Sequence, residues 1–217
     1  MELRQIRLMF AAARSQAAPF AVTLAACVLA GCAAAQSPRA IGLSDVATPR
    51  VASATANAEK IAFGQPAAVP YGYYQLCARS PRLCQATRGR LPVTRDGSVV
   101  ADGPAMSELA SVNADVNATI RPNYTDDWTP GRAVGDCKDY AMTKRQRLIE
   151  AGWPSSAVPV AVVKTWTGEE HLVLVARTSG GDYVLDNLDG RVSPWTNTSY
   201  AWKKIQAPTG GLDWRSF

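Results

Sequence analysis

The chain has a single histidine, His171, so any imidazole chemistry must run through that position. It has five cysteines but no C-x-x-C pair, which removes the usual spacing of a thiol–disulfide exchanger. Beyond residue 31 there is no block of lysine and arginine. Loss of residues 1–31 would remove three arginines and one glutamate, lowering the formal charge from +5 to +3, too slight and too scattered to argue for a nucleic-acid partner. The apolar run from Pro19 to Gly31 is too short for an ordinary membrane span.

What the amino end does contain is a basic start, Arg4, Arg7 and Arg14, followed by that short run and Leu29-Ala30-Gly31-Cys32. The last four residues resemble a bacterial lipobox. Residues 1–31 then read as a signal peptide of the lipoprotein type, with Cys32 as the lipid-bearing first residue of the mature chain and Cys27 discarded. The rival reading is plain secretion with cleavage after Ala33-Ala34-Ala35. Either way the protein leaves the cytoplasm, and a lipid on Cys32 would hold it to a membrane facing the periplasm. Residues 32–60, rich in Ala, Ser, Thr, Pro and Val without periodicity, read as a tether, and residues 61–217 as one folded domain.

Within that domain, Gly135-Asp136-Cys137-Lys138-Asp139-Tyr140 places a cysteine where a turn becomes a helix. Helix formers follow as far as Leu148, and Gly152 with Pro154 ends the run. Asp136 is the expected N-cap and Asp139 its capping-box partner. The free N–H groups and dipole of a first turn favour an anion, which for cysteine is the nucleophilic thiolate. The competing reading is a small residue buried under a helix, and the reactive one needs a base from elsewhere.

Upstream, Cys77 and Cys84, with six residues between them, form an expected local disulfide in an oxidising compartment, and the absence of further ligands argues against zinc. Met106, Leu109, Val112, Val116 and Ile120 recur at helical spacing behind the Asp102-Gly103-Pro104 start. Asn113, Asp115 and Asn117 on that helix read as solvated surface. Between Arg121 and Gly135, Asp126 and Asp127 lie among Tyr124, Trp128 and turn residues. These acids are the right donors for calcium but lack the spacing of a calcium loop.

After Gly152 the pattern turns to strands, Val158–Lys164, His171–Arg177, Asp182–Asn187 and Tyr200–Ile205. The fold expected is α+β, helices first and then an antiparallel sheet. A two-residue turn at Ser179-Gly180 puts His171 and Asp186 on one face in either allowed register, with Asp186 opposite His171 in one and opposite Val173 in the other. A three-residue turn with a bulge would break that parity. An aspartate in the apolar run Tyr183-Val184-Leu185-Asp186-Asn187 needs a strong donor, and an imidazole N–H is one. Asp182 and Asp189 sit by turns, where a carboxylate is cheap to expose.

Taken together, Gly135 to Tyr140, Lys144-Arg145, Ala151-Gly152-Trp153-Pro154, His171-Leu172-Val173-Leu174 and Tyr183 to Asn187 resemble the bacterial transglutaminase-like cysteine peptidases, the LapG-type periplasmic proteases. The match runs from about Phe63 to Trp214 and includes the Cys77/Cys84 pair and the Val112-Asn113, Val116-Asn117 repeat. The resemblance implies a papain-like core, with Cys137 as nucleophile, His171 as base and then acid, and Asp186 as orienting carboxylate. It also implies the Cys137 N–H as part of an oxyanion hole and Trp128 as a candidate to line it. Many relatives carry an acid directly after the cysteine, and LapG-type enzymes use acids around that position for calcium. Here that residue is Lys138, whose cation opposes a second one, which puts calcium in doubt and leaves no cofactor expected.

The activity implied is a cysteine peptidase of the cell envelope, cutting an amide bond of a protein through a thioester. Transglutamination or hydrolysis of peptidoglycan peptides would use the same three residues. A lipoprotein that keeps the fold only to bind is the non-enzymatic alternative.

Overall fold

A computed structural model describes residues 58–217. The expected signal peptide at 1–31, Cys27, the lipidation candidate Cys32 and nearly all of the expected 32–60 tether lie outside the described residues. The domain carries helices α1 (Tyr71–Arg79), α2 (Gly103–Thr119) and α3 (Cys137–Ala151). A small parallel pair, β1 (Arg121–Pro122) and β2 (Val134–Gly135), leads into α3. The remaining strands are β3 (Val160–Lys164), β4 (Glu170–Thr178), β5 (Gly181–Leu185), β6 (Ser193–Pro194), β7 (Ala201–Gln206) and β8 (Trp214–Ser216). They form one antiparallel sheet in the order β6-β5-β4-β3-β7-β8. The expected α+β class is the observed one.

Helix α2 begins as its sequence dictates. The Asp102 side chain accepts the Ala105 N–H at 2.8 Å and Pro104 occupies the first turn, where its missing N–H costs nothing. Its apolar stripe buries Leu109 and Val116, while α3 ends at Gly152, whose φ of 117° is a left-handed cap that a side chain would strain. The central strands β3 and β4 are buried along almost their whole length. One sheet face, with Val162, Leu172, Leu174 and Leu185, packs on the helices through Leu76, Leu109, Met142 and Trp153. The opposite face, with Val163, Val173, Val175 and Ile205, is covered by Ile61 and Phe63.

That second contact begins earlier than the sequence boundary at residue 61. Ala58 donates to the Gly180 carbonyl at 2.7 Å, Asp182 donates its N–H to Glu59, and Ile61 donates to the Asp182 carboxylate at 2.8 Å. Asp182 is therefore fully buried, a correction to its reading as a cheaply exposed turn acid. Its N–H partner comes from a segment far away in sequence, which no local pattern reveals. The Cys77–Cys84 disulfide is formed, with a Cα separation of 5.6 Å, and ties α1 to the turn after it.

Candidate active site

Three elements deliver three side chains to one place. Helix α3 presents Cys137 at its first position because Asp136 caps the helix, accepting the Lys138 N–H at 3.1 Å, while Asp139 reaches back to the Asp136 N–H at 3.1 Å. Gly135 is needed for this wrap, since a Cβ there would lie 2.6 Å from the Asp139 side chain. Cys137 is half-buried and is the one free cysteine among the described residues. Its N–H takes part in none of the capping bonds.

His171, the second residue of β4, is almost buried, and its Nε2 lies 2.7 Å from Asp186 Oδ1. The β4–β5 hairpin has the two-residue Ser179-Gly180 turn, and its ladder pairs Leu174 with Leu185, which continues to Val173 opposite Asp186. The second of the two sequence registers is thus the real one. Asp186 falls just past the end of β5 and bends toward His171 rather than standing in the ladder. It also accepts the Leu188 N–H at 3.1 Å and the Tyr200 hydroxyl, and its own carbonyl accepts from Asn117 Nδ2 at 2.8 Å.

With Nε2 committed to the carboxylate, Nδ1 is the ring nitrogen left for the sulfur. Burial works against a charged ring here. The hydrogen bonds to Asp186 and to Cys137, with the charges of both, more than offset it and hold His171 up at about 9. Burial would push the Asp186 acid up, but its bonds to His171, Tyr200 and Leu188 keep it below its usual value. Burial and the adjoining carboxylate push the Tyr200 phenol well up, so it stays a donor.

A hollow of about 620 Å³ opens on one side of Cys137 and His171, walled by Pro70, Tyr71, Gly72 and Trp128. A second, of about 430 Å³, opens on the other, walled by Asn123, Tyr140, Glu169 and Leu188. Both contain Cys137 and His171, so a groove runs through the pair. Trp128 lines the first hollow together with Cys137, its indole against Gly72, where a Cβ would lie 2.3 Å from Nε1.

The groove belongs to a chain whose residues 63–217 match the family model of the bacterial transglutaminase-like cysteine proteinases. The chain belongs to this family. No protein of curated function matches it. Among solved structures it is similar to calcium-bound LapG of Legionella pneumophila, at 20% identity and a TM-score of 0.44 over 47% of this chain and 65% of LapG. The EGTA-treated form of the same protein gives 20% identity and a TM-score of 0.42, over 47% of this chain and 63% of that one.

For this member of the bacterial transglutaminase-like proteinases, the structure also corrects one reading of α2. Asn113 is fully buried and donates to the carbonyls of Asp189 and Gly190, and Asn117 holds Asp186; neither is solvated surface. Asp115 is exposed, as read. The available signal was an amide pair four residues apart directly beside the apolar stripe. Tyr200 and the start of α1 had no such signal, because they reach the site through tertiary contact alone.

The acids near Cys137 are engaged within the protein. Asp127 pairs with Arg132 at 2.7 Å and Arg79 at 3.5 Å. Asp139 accepts from Thr125 Oγ1 at 2.7 Å and the Thr129 N–H at 3.0 Å, besides the Asp136 N–H. The Lys138 ammonium bonds Asp136 Oδ2 and, at 3.0 Å, the Thr125 carbonyl. With the Lys138 ammonium seated on two of these oxygens, the set as it stands does not fit calcium, which takes six or more oxygen ligands.

Proposed function

We propose that this protein is a cysteine peptidase of the cell envelope that hydrolyses an amide bond of an extended protein substrate, using Cys137, His171 and Asp186 as a triad. The observation that carries the reading is the shared groove. The one free cysteine of the described residues and the chain's one histidine line the same hollow, and the histidine is held from behind by a buried carboxylate.

In this mechanism the proton of the Cys137 thiol rests on His171, whose charged form Asp186 stabilises. The thiolate attacks the substrate carbonyl carbon, and the carbonyl π electrons move onto oxygen. The Cys137 N–H, unspent in the helix cap, donates to that oxyanion, with Trp128 lining the same wall; a donor of this kind is worth about 3 kcal/mol in the transition state. Collapse breaks the carbon–nitrogen bond as His171 gives its proton to the leaving amine. A water molecule then attacks the thioester, losing its proton to His171, and the carbon–sulfur bond breaks, releasing the acid product and restoring the thiolate beside the protonated His171.

The hollows on both sides of Cys137 suit a chain that continues beyond the scissile bond in both directions. Export by the 1–31 signal and lipid attachment at Cys32 would place the enzyme at a membrane in the periplasm, where its substrates are envelope proteins. Turnover of envelope protein by the purified mature chain tests the reading. Cys137→Ala and His171→Ala should each lower kcat/KM by at least about a thousandfold with the fold intact. Full activity in either variant removes the triad.

A further inference from the structure

The junction between the Asn123–Gly131 loop and α3 is where the carboxylates of Asp136 and Asp139 and the carbonyl of Thr125 converge. Such a set of hard oxygens attracts a cation. The cation present is the chain's own. Lys138 Nζ donates to Thr125 O at 3.0 Å and to Asp136 Oδ2, and stands 5.3 Å from the centre of the Tyr124 ring. The other carboxylate oxygens are taken by donors: Asp136 Oδ1 by the Lys138 N–H, Asp139 Oδ1 by the Thr129 N–H, and Asp139 Oδ2 by Asp136 N–H and Thr125 Oγ1. Asp136 Oδ2 receives the Thr125 N–H as well, at 3.2 Å.

We infer that the Lys138 ammonium is the resident cation of this junction and makes the site independent of calcium. It is a positioning residue. The segment it fastens carries Tyr124 and Trp128 to the groove, and the fastening is built into the sequence instead of waiting on an ion. The inference rests on the groove being the active site. If so, the enzyme's activity is constitutive with respect to calcium, and any regulation comes from another source.

The test uses the mature chain, its thermal unfolding and iodoacetamide labelling of Cys137, in EGTA and in millimolar calcium chloride. Wild type should melt at one temperature and label at one rate in both. Lys138→Met should label about tenfold more slowly in both, having lost a charged hydrogen-bond donor without gaining a metal ligand. Lys138→Glu should be slow in EGTA and recover in calcium, because an added carboxylate and a vacated cation position make an oxygen site. A calcium-dependent rise in wild-type melting temperature or labelling rate overturns the inference. So does a Lys138→Met protein that labels like wild type, or a folded Lys138→Glu protein that calcium does not restore. Should Lys138→Glu fail to fold, the other two proteins decide. Melting of Cys137→Ala with and without calcium reads the junction without any reactivity, so an inert Cys137 would remove the catalytic reading and leave this result distinct.

Discussion

At the scale of single residues, the proposed chemistry turns on the protonation of His171. Its ring is held up at about 9 against an ordinary 6.5. A raised folded value means that the charged ring adds stability in full below about 6.5, and that this contribution fades as the pH rises through about 9. The ability to protonate a leaving amine fades over the same upper range, so kcat/KM should fall off near pH 9. Asp186→Asn keeps a hydrogen-bond acceptor but removes the charge. It should move that limb toward the ordinary imidazole value and lower kcat/KM by roughly 10² to 10⁴; a pH–rate profile of the two proteins checks both. Cys137, His171 and Asp186 were legible because a cysteine at a helix start, a lone imidazole and an acid inside an apolar run are each locally unusual. Tyr200, which grips the other Asp186 oxygen, was not, because that bond joins the approach to β7 with the end of β5.

At the scale of elements, the boundaries of α2 and α3 followed from caps and stops, and the two-residue hairpin turn from its sequence, with two registers left open between which the structure chooses. What the sequence concealed is that α3 turns charged side chains inward. Lys144 and Arg145 look like ordinary helix formers, yet both are buried. Arg145 is satisfied in part by the carbonyls of Val158 and Leu83. Lys144 Nζ has no hydrogen-bond partner and only the Tyr140 ring, 5.9 Å away, beneath it; Asn113 Oδ1 and Asn117 Oδ1 on α2 also lack a hydrogen-bond partner. Burial pulls Lys144 down to about 7 from 10.5, against the opposing charge of Asp186. A depressed folded value means a stability cost that is complete below about 7 and relieved as the pH rises toward 10.5. Lys144→Met should therefore melt higher than wild type at about pH 6, with the gap narrowing at about pH 9. A gap that is constant or reversed would show that the ammonium is compensated within the core.

At the scale of the whole molecule, the α+β class and the helices-then-sheet order could be read in advance, whereas the sheet order could not. β7 pairs with β3, a partner far back in the chain, and the 58–63 segment folds back over the outer sheet face. Such pairings are decided by which apolar faces must be covered together, information spread over the full length of the domain. The groove is the product of that assembly, since α1, the α3 junction and the β4 end meet only when the sheet is complete. The direct test of the central claim is the rate at which iodoacetamide alkylates Cys137 near neutral pH, followed by intact mass in wild type and in His171→Ala. A thiolate paired with the imidazolium should react at least about tenfold faster in wild type than in the variant. Equal rates in the two proteins, or a folded wild-type Cys137 that does not react, would contradict it.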